Sequence, residues 1–249
     1  MDSATVAEAL TRRFHELDFS YEGVGLLPIG PTLDLPGFWP GELGHQKRNG
    51  SRELKRTGEV VLGHNWGDQD YYDKAQRFLE KRQAEPPFRE GGGATGTNIE
   101  KLGIEQEAFL TNAYPGLRKK GGLLGTCGIP SYSPFDRKAA SLFQYSLQLL
   151  RPRAVIGLGL PVAKFLARLS EDARLDSWRK AINFAAIDSC DTGPVTQSRL
   201  AGPDPITVVA MTHPSLWSNL GRRRFEGAEG VDACRAMVER TLKTSVIDG

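Results

Sequence analysis

The sequence predicts a three-layer α/β/α sandwich around a central, mostly parallel four-stranded sheet. Four short apolar runs, at residues 59–63, 108–111, 154–158 and 206–211, read as strands buried on both faces. Stretches of helical periodicity alternate with them, which favours parallel strands joined by crossover helices. With 249 residues, 39% of them hydrophobic and 25% charged, the chain has the size and composition of one globular domain. Residues 58–245 form the predicted core, preceded by an N-terminal helix and irregular extension over 1–57.

Along the chain, Val6, Leu10 and Phe14 recur four apart behind Ser3 and predict a helix over 3–17. Many Gly and Pro, then the polar stretch Gln46–Arg56, make 18–57 irregular surface chain. Glu59-Val60-Val61-Leu62-Gly63 is the first strand, ended by glycine. Residues 69–83 carry a helical pattern, Gly91-Gly92-Gly93 a loop, and Ala108-Phe109-Leu110-Thr111 the second strand. Ala139, Leu142, Phe143, Ser146, Leu147 and Leu150 share one face of a helix over 135–150, which Arg151-Pro152 stops. Ala154–Leu158 is the third strand, and Val162, Phe165, Leu166 and Leu169 continue into a helix. Ile182–Ile187 is read as an additional edge strand, Ile206–Met211 as the fourth strand, and 229–243 as a closing helix bearing Val231, Cys234, Val238 and Leu242.

Composition narrows the function. A net charge of +2 is too small to coat the surface with positive potential, so attention goes to Arg118-Lys119-Lys120 and Arg222-Arg223-Arg224. Cys127, Cys190 and Cys234 are widely spaced, odd in number and without a Cys-x-x-Cys pair, which excludes a four-thiolate cluster and a closed disulfide framework. Reduced thiols, the absence of a long apolar run and a charged start unlike a signal peptide predict a cytoplasmic protein, with no membrane partner and a monomeric state.

In open α/β sheets, ligands bind beyond the carboxyl ends of the strands. Those ends read Gly63-His64-Asn65-Trp66-Gly67, Thr111-Asn112, Gly157-Leu158-Gly159 and Thr212-His213-Pro214-Ser215, so polar groups and glycines collect on one edge. Singly, each has an ordinary structural reading. A strand-end His can be a structural hydrogen-bonder, Asn112 can cap a loop, Phe88 and Trp217 can be core, and His64 can merely line a pocket. Gly157-Leu158-Gly159 before a helix lacks the third glycine and the acidic partner of a dinucleotide loop.

Together these segments resemble the uracil-DNA glycosylase superfamily, over about residues 58–225 and in order. Gly63-His64-Asn65-Trp66-Gly67 resembles its first motif, Gly-x-Asn-Pro-Gly in the single-strand-selective and mismatch-specific branches. Pro87-Phe88 resembles the Pro-Phe segment whose ring stacks on the flipped base, and Phe109–Asn112 the strand whose terminal Asn reads uracil. Arg151–Gly159 resembles the Pro-led third strand. His213-Pro214-Ser215 with Ser218 resembles the His-Pro-Ser-x-x-Ser motif of the catalytic His and DNA-penetrating loop.

The resemblance implies a monofunctional DNA repair glycosylase that flips out uracil or a related deaminated base and hydrolyses its N-glycosidic bond, leaving an abasic site. Asn65 would orient water, and His213 would donate to the departing pyrimidine. Gly63, His64, Trp66, Gly67, Phe88 and Asn112 would hold the base. Ser215 and Ser218 would contact phosphate, Trp217 would act as the wedge, and Arg222, Arg223 and Arg224 would add salt-sensitive DNA binding. No metal or organic cofactor is implied, and DNA is the partner. Trp66 stands where the family has Pro, and Gly67 where its most uracil-selective branch has Tyr. Asp68 and Asp70 follow closely and either assist water activation or are solvated helix-start carboxylates. The cysteine count excludes the iron–sulfur branches. A member that binds DNA or a free base without excision, with Trp66 as the disabling change, is the alternative; an unrelated nucleotide-binding α/β protein is a third.

Overall fold

A computed structural model describes residues 3–28, 46–48, 51–53, 58–65, 67, 98–99, 101–102, 108–118, 128–219 and 223–244. The strands of its central sheet are β1 (Glu59–Gly63), β2 (Phe109–Asn112), β3 (Ala154–Leu158), β4 (Val195–Ser198) and β5 (Ile206–Met211). Their order is β2-β1-β3-β5-β4, with the first four parallel and β4 antiparallel on β5. Every residue of β1, β2 and β3 is buried, as expected for parallel strands covered on both faces.

Two apolar layers flank this sheet. On one side, α1 (Ser3–Glu16), α2 (Pro134–Leu150) and α3 (Leu160–Leu169) pack with Val60, Leu62, Phe109, Val155 and Val208. On the other, a C-terminal helix buries Ala233, Cys234, Met237 and Val238 against Val61, Ile156, Val209 and Met211. Helix α2 begins where Ser133 Oγ accepts from Asp136 N–H (3.2 Å), with Pro134 in its first turn. It ends at Arg151, whose left-handed φ of 47° precedes Pro152. Gly157 lets α3 lie close on β3, since a Cβ there would stand 2.8 Å from Leu166 Cδ1.

The additional edge strand predicted over Ile182–Ile187 is instead a bend at Ile182 and Asn183 followed by a short helix from Phe184. Asp176–Lys180 forms α4 and Phe184–Asp188 forms α5, before the C-terminal α6 (Gly230–Thr244). Asn183 Oδ1 accepts from Ala186 N–H (2.9 Å), a cap that commits the segment to helix. Ile182 is 83% exposed, so no apolar pairing surface opposes that choice. The fifth strand, β4, is the polar Val195-Thr196-Gln197-Ser198, whose short, partly exposed form blunts the sheet edge.

The N-terminal chain joins the same core. Val6, Leu10, Val24 and Leu26 are buried in the α2–α3 layer, and Tyr21 Oη donates to Pro115 O (2.7 Å). Leu26–Leu27 pairs antiparallel with Leu117–Arg118, fastening the segment after β2. Gln46–Arg48 and Ser51–Glu53 form an antiparallel pair. The predicted helix over 69–83, the loop Gly91-Gly92-Gly93, Asp68, Asp70 and Cys127 lie outside the described residues. Among the described residues, no helix is long and apolar enough to cross a membrane.

Candidate active site

Because β2, β1, β3 and β5 are parallel, their carboxyl ends lie side by side on one edge. Gly63 is the register partner of Asn112, and Leu158 that of Met211. The loop after β1 is laced to the segment after β2. Ala113 N–H donates to Gly63 O (2.8 Å), Tyr114 N–H to His64 O (3.0 Å) and Arg118 N–H to Gly67 O (2.7 Å). Gly159, at φ +96°, is the near neighbour of the His213 turn: a side chain there would be strained and 3.7 Å from His213 Cβ.

Neighbours fix the state of each imidazole. Ser215 N–H donates to His213 Nδ1 (3.3 Å), and Ser215 Oγ lies 2.7 Å from the same nitrogen. A backbone N–H can only donate, so Nδ1 is the acceptor and Nε2 carries the proton. In the β1 loop, Asn65 Nδ2 donates to Gly67 O (2.9 Å), which orients the amide and turns Oδ1 toward His64 Nδ1 (3.2 Å). An amide oxygen only accepts, so His64 carries its proton on Nδ1. The two histidines therefore hold opposite tautomers.

Both are also held uncharged. Burial, then the Arg118 charge, lowers the His213 pKa to about 4. Burial lowers His64 to about 4 as well, with Arg118, His213 and Arg168 adding repulsion against the Asn65 hydrogen bond. An unfolded chain binds these protons near pH 6.5, so between there and about pH 4 the unfolded state holds more protons than the folded one. Stability is then unaffected above pH 6.5 and falls as the pH drops through that window, by about 2–3 kcal/mol per histidine. Urea unfolding at neutral pH and near pH 5 checks this; the double variant His64→Gln with His213→Gln should lose much less on acidification.

Asn112 is only 7% exposed, and its Nδ2 has no hydrogen-bond acceptor among the described residues. A buried amide donor left so costs about 1–3 kcal/mol, which a ligand carbonyl would recover. Behind it, the Tyr114 ring is edge-on to both His64 (5.3 Å) and Phe165 (5.4 Å). Tyr114 Oη donates to Asp136 Oδ1 (2.6 Å), and Arg168 Nη2 reaches the same oxygen (2.8 Å) and Tyr114 Oη (3.0 Å). Sequence reasoning missed Tyr114, Asp136 and Arg168, since nothing in their spacing signals contact. It also missed Asn98, whose Nδ2 donates to Pro214 O (2.7 Å) and steadies the His-Pro-Ser turn. Arg118 was legible only as one of a basic cluster; the fold brings its charge near enough to oppose protonation of both imidazoles.

Two residues expected to touch DNA are buried instead. Pro214–Asn219 is a 3₁₀ turn, in which residues three apart eclipse, so Trp217 follows Pro214 inward while Ser215 and Leu216 face solvent. The Trp217 indole is 7% exposed and donates to Thr212 O (3.2 Å). It is core, and Leu216, 40% exposed, is the apolar side chain this turn presents. Arg223, 3% exposed, donates to Ala210 O (2.8 Å) and Thr212 Oγ1 (3.2 Å), pairs with Asp188 (3.1 Å) and covers the Phe184 ring. Trp217 and Arg223 thus clamp Thr212, the residue before His213. Arg224 is exposed beside Glu229 (3.2 Å), and Ser215 is exposed. Trp66, Phe88 and Arg222, with the Ser218 side chain, lie outside the described residues.

Gly63, His64, Asn65, Gly67, Asn112 and His213 are therefore brought to one edge as the sequence predicts. Among the described residues, no group of three or more His, Cys, Asp or Glu side chains is placed to hold a metal ion. The chain matches no protein-family model and no curated protein.

Proposed function

We propose that this chain is a monofunctional DNA glycosylase that excises uracil or a related deaminated base after flipping it from the stack. The carrying observation is the pairing, on one sheet edge, of a buried amide that lacks an acceptor among the described residues with an imidazole whose proton sits on Nε2. Such an edge suits a pyrimidine. Asn112 can donate from Nδ2 to a ring carbonyl and accept at Oδ1 from the adjacent N–H, a match that cytosine reverses. The mismatch would leave buried groups unpaired.

Cleavage of the N-glycosidic bond spreads positive charge over the sugar and negative charge over the leaving base, by analogy with glycoside transition states. His213 is suited to the second task. Its Nε2–H is a fixed donor, oriented beforehand by Ser215 and Asn98, and a neutral imidazole N–H suffices to stabilise the departing anion. Ser215 and Arg224 are exposed near this turn and supply phosphate contacts.

Leu216 replaces Trp217 as the wedge, being the exposed apolar side chain of the turn. Unstacking costs a few kcal/mol in a duplex and least in a single strand. Leu216→Ala should therefore slow excision from duplex DNA about tenfold and from single strands little, as measured by single-turnover kinetics on both.

Incubation with uracil-containing single- and double-stranded oligonucleotides, followed by strand scission at abasic sites, tests the reading. Excision by the wild type that His213→Ala loses supports it. No cleavage above background, with His213→Ala identical, rejects it.

A further inference from the structure

We infer that Thr212 is a positioning residue for His213, and that Arg223 and Trp217 act on catalysis through it. The inference rests on the glycosylase reading and adds to it the anchor that aims the imidazole. His213 and Ser215 hold each other within one turn, since the Ser215 N–H and hydroxyl both meet Nδ1. That fixes the ring relative to the turn but not the turn relative to the sheet. A donor aimed at a leaving group needs both.

Thr212 supplies the second constraint. It directly follows β5 and is 5% exposed. Each of its polar atoms is engaged by a residue from further along the chain. Oγ1 accepts from Arg223 Nη1 (3.2 Å), O accepts from Trp217 Nε1 (3.2 Å), and the backbone hydrogen-bonds to the Cys234 sulfur. These partners are themselves fixed. Arg223 Nη2 also donates to Ala210 O within β5 (2.8 Å), and the guanidinium pairs with Asp188 (3.1 Å) and covers the Phe184 ring. Trp217 and Cys234 are buried in the apolar layer with Met211 and Met237.

The bond from Arg223 to Thr212 joins residues eleven apart, so it closes the chain at the base of the His213 turn. Asn98 holds Pro214 O from the other side. His213 therefore sits between two tethered neighbours. Stability alone does not call for a buried cation here, because well-packed apolar side chains of similar size serve as well as a buried ion pair. Only a donor, however, can hold Thr212 Oγ1 and Ala210 O together.

Single-turnover excision from single-stranded uracil-containing DNA, where the Leu216 wedge contributes little, tests this through a double-mutant cycle. Thr212→Val keeps the β-branched shape and removes the oxygen that Arg223 grips. It should slow excision about tenfold with DNA affinity unchanged, whereas Thr212→Ser, which keeps the hydroxyl, should stay within about twofold of the wild type. In a His213→Ala background, Thr212→Val should slow the residual reaction no further. A merely structural role would lower the rate in both backgrounds alike, by depleting the folded protein. Trp217→Phe, which keeps an apolar ring and deletes the N–H, should behave as Thr212→Val does and replaces it if that variant does not fold. Equal losses with and without His213 overturn the inference alone, as does a Thr212→Val variant of wild-type rate. A wild type that excises nothing overturns the glycosylase reading and this inference with it.

Discussion

His213→Ala is expected to slow excision of uracil about 10²–10³-fold while leaving the unfolding midpoint close to that of the wild type. The magnitude follows from what the side chain supplies. A preorganised donor aimed at developing negative charge in a partly buried site contributes far more than the same donor in water, because no solvent must reorganise around it. Ser215 and Asn98 fix the turn, and the ring carries its proton on Nε2 before substrate arrives. Removing the imidazole leaves Asn112 in place, so base affinity should survive. The loss should therefore appear in the single-turnover rate and not in binding to uracil-containing DNA. A change within threefold would mean that the imidazole does not face the leaving group.

Asp136→Ala is expected to cost about 3–5 kcal/mol of stability, read from urea unfolding. Asp136 is 4% exposed, and its two oxygens take Tyr114 Oη, Arg168 Nη2 and the Tyr132 N–H. Deleting the carboxylate leaves the Arg168 guanidinium, whose side chain is 14% exposed, without its anion and the Tyr114 hydroxyl without its acceptor. It also removes a negative charge from the first turn of α2. The cost belongs mainly to the stranded cation, so Asp136→Leu combined with Arg168→Met should recover most of it. A loss below about 1 kcal/mol for Asp136→Ala would show that water, not the carboxylate, satisfies Arg168.

The four apolar strands and the helices over 134–150, 160–169 and 230–244 were legible because hydrophobic periodicity records which faces must leave water. Legible too was the clustering of Asn112, the Gly63–Gly67 loop and His213, since parallel strands deliver their carboxyl ends to one edge. Strand β4 was not, because Val195-Thr196-Gln197-Ser198 gains its strand state from pairing with β5 and carries no apolar pattern of its own. Ile182–Ile187 misled for the converse reason: five apolar residues in six suggested a strand, whereas the Asn183 cap acts locally and starts a helix.

The amino-acid order alone thus determined the layers, the parallel sheet and the edge on which chemistry is placed, because these depend on local pattern and on strand direction. Tertiary structure alone decided that Trp217 and Arg223 turn inward, one into the layer of Val61, Ile156 and Met211 and the other onto Asp188, since burial of an indole or a guanidinium depends on partners far away in the chain. It also decided the two tautomers. Where an imidazole keeps its proton is set by whichever donor or acceptor the fold brings against each nitrogen, here Asn65 Oδ1 for His64 and the Ser215 N–H for His213.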